Sequence, residues 1–267
     1  MIDKKENNEL LTFGGHVNIM RKMIFRILIV VVCFSIVFFC FKDETFDILL
    51  APHKSDFITF SFIENIIALC GFDFHFVEYD IQLISTELPA QFLTHITVSC
   101  IMACLISSPY VIYELFRFVT PALYVREKRY SYVVAAVIFI LFLTGLFMSY
   151  FVIFPISFQF LATYQVDEDI LNTITLSSYI STFSNLTFLL GIVFQLPVLS
   201  FIFGKMGLIN ANLLKRYRAF ALVMIMVIAA IITPPDVFTL IFVTIPLYGL
   251  YEISIIVFKV IVKNNDV

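Results

Sequence analysis

Residues 24–41 read IFRILIVVVCFSIVFFCF, eighteen positions whose only charge is Arg26. As an α-helix this stretch rises about 27 Å, close to the ~30 Å hydrocarbon core of a bilayer. Val, Ile and Phe also favour strands, but in lipid a helix satisfies its own backbone hydrogen bonds, so the run reads as a membrane span. The segment before it is polar and charged, and no small-residue cleavage site follows it. That makes it an anchor rather than a cleaved signal peptide.

Working outward, five more apolar runs occupy 93–116, 132–154, 183–203, 219–232 and 237–258. They predict an all-α integral membrane protein with six transmembrane helices, a single polytopic domain over 1–267. Composition agrees, with 61% hydrophobic and 14% charged residues against roughly 45–50% and 25% in soluble domains. No repeat or low-complexity stretch stands out. Trp is absent, which leaves 12 Tyr to serve as interfacial anchors.

The net charge of -3 excludes nucleic acid as the obvious partner, and the placement of the charges says more than their sum. Fifteen of the 17 basic residues fall in the N-terminal segment, the second and fourth loops and the C-terminal tail; Lys42 and Lys54 are the exceptions. The positive-inside rule then puts both termini in the cytoplasm of a cell inner membrane or an organellar one. Thirteen of the 20 acids lie on the opposite side. The outer segments 42–92 and 155–182 are expected to form a periplasmic cap, with an interfacial helix near 57–70.

Spans five and six read as short. The run 219–232 makes about 21 Å of helix, and the last meets Glu252 after 15 residues from Val237. Thr233-Pro234-Pro235-Asp236 is a tight turn between them, and a short hairpin thins the bilayer beside it.

The five cysteines are odd in number and without CxxC spacing, which argues against disulfides and zinc. His16, His53, His75 and His95 are scattered, and there is no phosphate loop, HExxH or GxSxG pattern. No catalytic residue, metal or cofactor is expected. The informative polar groups are those at membrane depth, where charge is expensive. Glu114 ends span two, Gln195 lies in span four beside Pro197, and Glu252 lies in span six within reach of Lys259 or Lys205. By spacing alone, Glu127 is a surface acid among Arg126, Lys128 and Arg129, and Gln195 makes an interhelical hydrogen bond beside a kink. A six-span secondary transporter remains open on this evidence, although the internal repeats and broken helices of that class are missing. A membrane enzyme lacks convergent acids.

The second loop, FVTPALYVRE at 118–127, resembles the first cytoplasmic loop of the TatC family, receptors of the twin-arginine protein translocase. YFVIFP at 150–155, FQLPV at 194–198, TPPDVF at 233–238 and IPLYGLYEI at 245–253 are similar to further motifs of that family, in the same order. Gly15-His16-Val17 with Arg21 is similar to its amphipathic N-terminal motif, and Ala51-Pro52 to its first outer loop. The resemblance runs from about residue 13 to 260.

It implies a receptor that binds the twin-arginine signal peptides of folded cargo at the cytoplasmic face. Arginine pairs bidentately with carboxylates, which lysine does less well. Glu127 is the implied carboxylate, with Phe118 beside it and His16 and Arg21 in the N-terminal part of the site. Gln195 and Glu252 in the membrane and Pro52 outside it are expected to serve partner docking. The implied partners are single-span TatA- and TatB-type proteins, further copies of the chain and the lipid bilayer, with the proton gradient as the energy source. Two departures stand out. His16-Val17-Asn18-Ile19-Met20-Arg21 has Ile19 where the family usually has Glu, and Gln195 stands where many relatives have Glu. Glu114, one turn before Phe118, is expected to supply the lost charge.

Overall fold

The computed structural model describes residues 13–69, 71, 76, 79, 81–119, 128–167, 172–205 and 211–263. Helix α1 (Phe13–Cys40) runs through the quoted stretch and is followed by α2 (Lys42–Leu50), a 3₁₀ turn (Ala51–His53) and α3 (Ile58–Leu69). After the two-residue strand β1 (Leu83–Ile84) come α4 (Ala90–Val119) and α5 (Lys128–Met148). A π-helical segment (Ser149–Ile153) leads into α6 (Phe154–Thr163), and β2 (Ile174–Thr175) into α7 (Leu176–Val193) and α8 (Leu196–Lys205). The chain closes with α9 (Ala211–Arg216), α10 (Arg218–Ile232) and α11 (Val237–Lys263).

Five helical stretches among the described residues are long and apolar enough to cross a membrane: Val17–Cys40, Ala90–Leu115, Val134–Thr163, Leu176–Ser200 and Val237–Ile256. The shorter apolar helix Arg218–Ile232 is the sixth. Six apolar helices bring the first and last to one face, here called the terminal face. The opposite, cap face carries α2 and α3.

Several boundaries differ from the expected ones. The third span does not stop at residue 154 but continues through Pro155 to Thr163. Pro155 falls in the first turn of α6, where its missing N–H leaves nothing unpaired. The π segment just before it absorbs the change of register. The last span is likewise not cut short at Glu252, because α11 runs unbroken past it to Lys263. α10 is the short span of the pair, its 15 residues making about 22 Å of helix.

Two apolar clusters organise the molecule. One joins α7, α10 and α11 through Leu186, Leu190, Ala229, Val243 and Leu247. The other, toward the cap face, joins α2, α4, α6 and α7 through Leu49, Val98, Phe154, Phe158, Tyr179 and Phe183. Phe154, Phe158 and Tyr179 meet edge to face with centroids 5.1 and 5.3 Å from Tyr179, a geometry that aromatic pairs favour. The Tyr179 hydroxyl donates to the Leu49 carbonyl at 2.9 Å and fixes α2 over α7.

The two inter-span segments on the cap face meet. β1 and β2 pair in parallel, Leu83 with Ile174 and Ile84 with Thr175, and His53 lies 3.1 Å from the Ile81 carbonyl. α3 covers the stretch near 57–70 in which an interfacial helix was expected. Ile58, Phe62, Ile66 and Leu69 line one exposed apolar stripe, while Thr59 on the inner side donates to the Phe151 carbonyl in the π segment. α1, by contrast, packs along α4 and little else, with 6% of its apolar window buried.

Candidate functional site

The terminal-face end of α1 and α4 collects the charges. Glu114, five residues before the end of α4, is 2% exposed. Its Oε2 accepts from Arg26 Nη2 at 2.7 Å and its Oε1 from the Tyr110 hydroxyl at 3.2 Å, while Arg117 Nη1 lies 3.7 Å from Oε1. A carboxylate this deep is tolerable because it is paired and hydrogen-bonded on both oxygens. Arg26 is half-exposed and belongs to the apolar run, so its aliphatic stem crosses α1's surface while the guanidinium reaches the neighbouring helix.

Glu114, the residue expected to supply the charge missing at Ile19, is paired with an arginine of its own chain. Arg21 lies five positions before Arg26 on α1, is exposed, and donates to Asn18 at 3.1 Å. With Lys22, Phe25, Arg26 and Ile29 it borders an open pocket of about 340 Å³. Phe118 is half-buried one turn beyond Glu114. His16 lies on α1, and its side chain is outside the described residues, as is the whole of Glu127.

A second site has the same construction. Glu252 Oε2 accepts from Arg218 Nη2 at 2.7 Å and Oε1 from the Tyr248 hydroxyl at 3.0 Å. Arg218, the first residue of the short α10, is the partner the structure shows; the side chains of Lys205 and Lys259, the partners expected, lie outside the described residues. Tyr110-Val-Ile-Tyr-Glu114 and Tyr248-Gly-Leu-Tyr-Glu252 are thus a short repeat, Tyr-x-x-Tyr-Glu, each one to two residues after a helical proline, Pro109 and Pro246. In both, tyrosine at i−4 and arginine from the adjoining helix share one carboxylate. Arg218 was read only as a loop charge and Arg26 was given no partner, although its place inside an apolar run, where a charge needs one, was the signal.

Gln195 occupies the break between α7 and α8. Pro197 has no N–H to offer, and the Gln195 backbone N–H turns to the Ile192 carbonyl at 2.9 Å instead of Gly191. The vacated Gly191 carbonyl lies 3.4 Å from the Gln195 side-chain amide nitrogen. The expected interhelical bond is thus a bond within its own helix, and the buried Oε1 has no partner among the described residues. Pro52, in the 3₁₀ turn after α2, is buried. The other pocket, about 490 Å³, lies between the cap-side halves of α4 and α7. Among the described residues no group of three His, Cys, Asp or Glu could hold a metal.

Residues 15–246 match the family described as Sec-independent protein translocase protein (TatC). The TatC protein of Desulforapulum autotrophicum is 34% identical over 95% of this chain and 86% of its own length. That of a Blattabacterium from Periplaneta americana is 31% identical over 94% and 96%. A crystal structure of the twin-arginine translocase receptor TatC in the detergent DDM superposes with a TM-score of 0.71 at 29% identity, covering 91% of this chain and 99% of that one. Six apolar helices in that arrangement, and a match over most of the length, make this chain a multi-span membrane protein of the TatC family, a component of the protein translocase and not an enzyme.

Proposed function

We propose that the chain is the receptor subunit that reads Arg-Arg signal peptides of folded proteins at the cytoplasmic face and assembles with TatA- and TatB-type single-span partners for proton-gradient-driven export. The terminal face is the cytoplasmic one in this reading, since it carries nearly all the Lys and Arg. One observation carries the proposal: the α1–α4 end has a carboxylate seat that already takes a guanidinium at 2.7 Å, with Arg21 and Phe118 beside it. The loop holding Glu127 leaves the same end directly after Val119.

Glu127 is the first carboxylate for the signal arginines, with Phe118 as the apolar floor and His16 and Arg21 setting the α1 side. Glu114 is the second seat, entered by displacing Arg26. Gln195, at the break between α7 and α8, marks the part of the membrane frame that meets partner helices, and Glu252 and Pro52 hold the frame on which partners dock. A photo-reactive residue at 118 or 127 is expected to label an Arg-Arg peptide and not its Lys-Lys counterpart. Arg26→Gln is expected to strengthen peptide binding if Glu114 is a seat; unchanged binding would leave Glu114 a purely structural acid. The whole reading fails if the chain restores solute uptake, but not export of a twin-arginine reporter, in cells lacking their own copy.

A further inference from the structure

A helix leaves its last four carbonyls without partners of its own, and at the end of α2 three successive ones meet side chains. The Tyr150 hydroxyl donates to the Ile48 carbonyl at 2.6 Å and the Tyr179 hydroxyl to that of Leu49 at 2.9 Å, while His53 Nδ1 lies 3.3 Å from that of Leu50. The two tyrosines tie α2 to the third span and to α7. His53 ties it elsewhere: its second ring nitrogen, Nε2, lies 3.1 Å from the Ile81 carbonyl, two residues ahead of β1. Through β1 and its pairing with β2, this one ring links the end of α2 to both segments of the cap face.

A carbonyl oxygen only accepts. A neutral imidazole has one N–H and one bare lone pair, so in either tautomer it satisfies one of the two carbonyls and turns a lone pair on the other. The imidazolium donates to both. The end of a helix also favours a cation, and α2 has no basic residue in its last turn. Phe158 and Tyr179 stand edge-on to the ring, with centroids 6.1 and 6.2 Å away, and hold it between its two acceptors. Imidazole is the side chain that changes charge between about pH 5 and 8. Around it, α6 and α7 carry no charged residue, and Tyr79 and Tyr179 bring phenols that are neutral in that range. Asp47, Lys54 and Asp56 on its own stretch are exposed, and Asp80 beside Ile81 lies outside the described residues.

We propose that His53 is a pH-operated clasp of the cap face. As imidazolium it donates to the Leu50 and Ile81 carbonyls together and locks the strand pair onto the end of α2. On losing its proton it keeps one carbonyl, and the strand pair loosens. Leu50 is three residues back in the same turn and stays close whatever the charge, so the contact released is the one to Ile81. In the reading above the cap face is the outer one, where an energised membrane keeps the lower pH; the clasp is then tight on a working membrane and slack when the gradient collapses. That consequence rests on the receptor reading, and the clasp itself does not.

The test is hydrogen exchange of the full chain in detergent at about pH 5.5 and about pH 8, either side of the imidazole range, with rates corrected for the intrinsic effect of pH. Peptides covering β1 and β2 are expected to be about tenfold better protected at the lower pH, the scale of one charge-assisted hydrogen bond. Peptides from the α7 core around Leu186 and Leu190 should show no such step. His53→Gln, which does not titrate, should abolish the step, and His95→Gln, at the neighbouring end of α4, should leave it intact. Equal protection of the wild-type strands at the two pH values overturns the proposal without recourse to any variant. So does a step that survives in His53→Gln, that vanishes in His95→Gln, or that the α7 core shares. The readout is local exchange and not export, so failure of the clasp leaves the receptor reading standing, and failure of that reading leaves the clasp.

Discussion

An arginine and a glutamate that meet where water is scarce cannot be removed one at a time without leaving a charge stranded. Arg26→Ala would leave Glu114 buried beside only Tyr110 and the more distant Arg117, and a broken buried pair costs about 3–5 kcal/mol. Thermal melting of the detergent-solubilised protein is expected to show that loss. The double variant Arg26→Leu with Glu114→Met is expected to recover most of it, since no charge then remains to desolvate. At the cap face the opposite logic applies to Tyr79. Its hydroxyl is buried with no partner among the described residues, and burial pushes the phenol up to about 12 from 10.0. Because the folded-state value lies above the unfolded one, the contribution of Tyr79 is complete below pH 10 and lost as pH rises from there toward 12. Tyr79→Phe removes an unsatisfied group and should stabilise by about 1 kcal/mol at neutral pH, with less alkaline sensitivity in a pH series of melts.

Helices α5 and α7 cross where both give up their side chains. A Cβ on Gly145 would come within 3.0 Å of the Gly191 Cα and the Leu190 carbonyl, both backbone atoms that cannot yield. Gly145→Ala is expected to cost about 1–3 kcal/mol, whereas Gly249→Ala, with nothing within 4 Å, should be neutral or slightly favourable in the same melts. The sequence made the existence and type of these elements legible, because hydropathy over twenty residues reports length and apolarity directly. It did not make their ends legible. The third apolar run read as ending at 154, whereas the π segment ahead of Pro155 lets helix continue to Thr163. Nor did it reveal the Tyr-x-x-Tyr-Glu repeat as a device, because the arginines completing it, Arg26 and Arg218, lie 88 and 34 positions away. Glu114 was legible by its depth but its pairing with Arg26 was not, for the same reason: depth is local in sequence and pairing is not.

Across the whole molecule, α10 is the weak place in the membrane seal. Its helix of about 22 Å falls some 8 Å short of a ~30 Å core, and the Arg218–Glu252 pair places both charges where the bilayer must thin or water must enter. Inserting one turn of leucines in α10 ahead of Ile232 should restore a full-thickness bilayer there. Export of a folded reporter is expected to drop severalfold while signal-peptide labelling at 127 persists; unchanged export would remove thinning from the mechanism.

The thin attachment of α1 also bears on how the protein is made. Its one close companion is α4, and Arg26 waits for Glu114 across 88 residues of synthesis, roughly 4–18 s at ribosomal speed. For that interval the newborn helix holds an unmatched cation at the edge of the lipid, and only arrival of the second long helix cancels it. A polypeptide arrested before α4 keeps that charge unmatched, so the first ion pair between spans also marks the point at which α1 gains its companion.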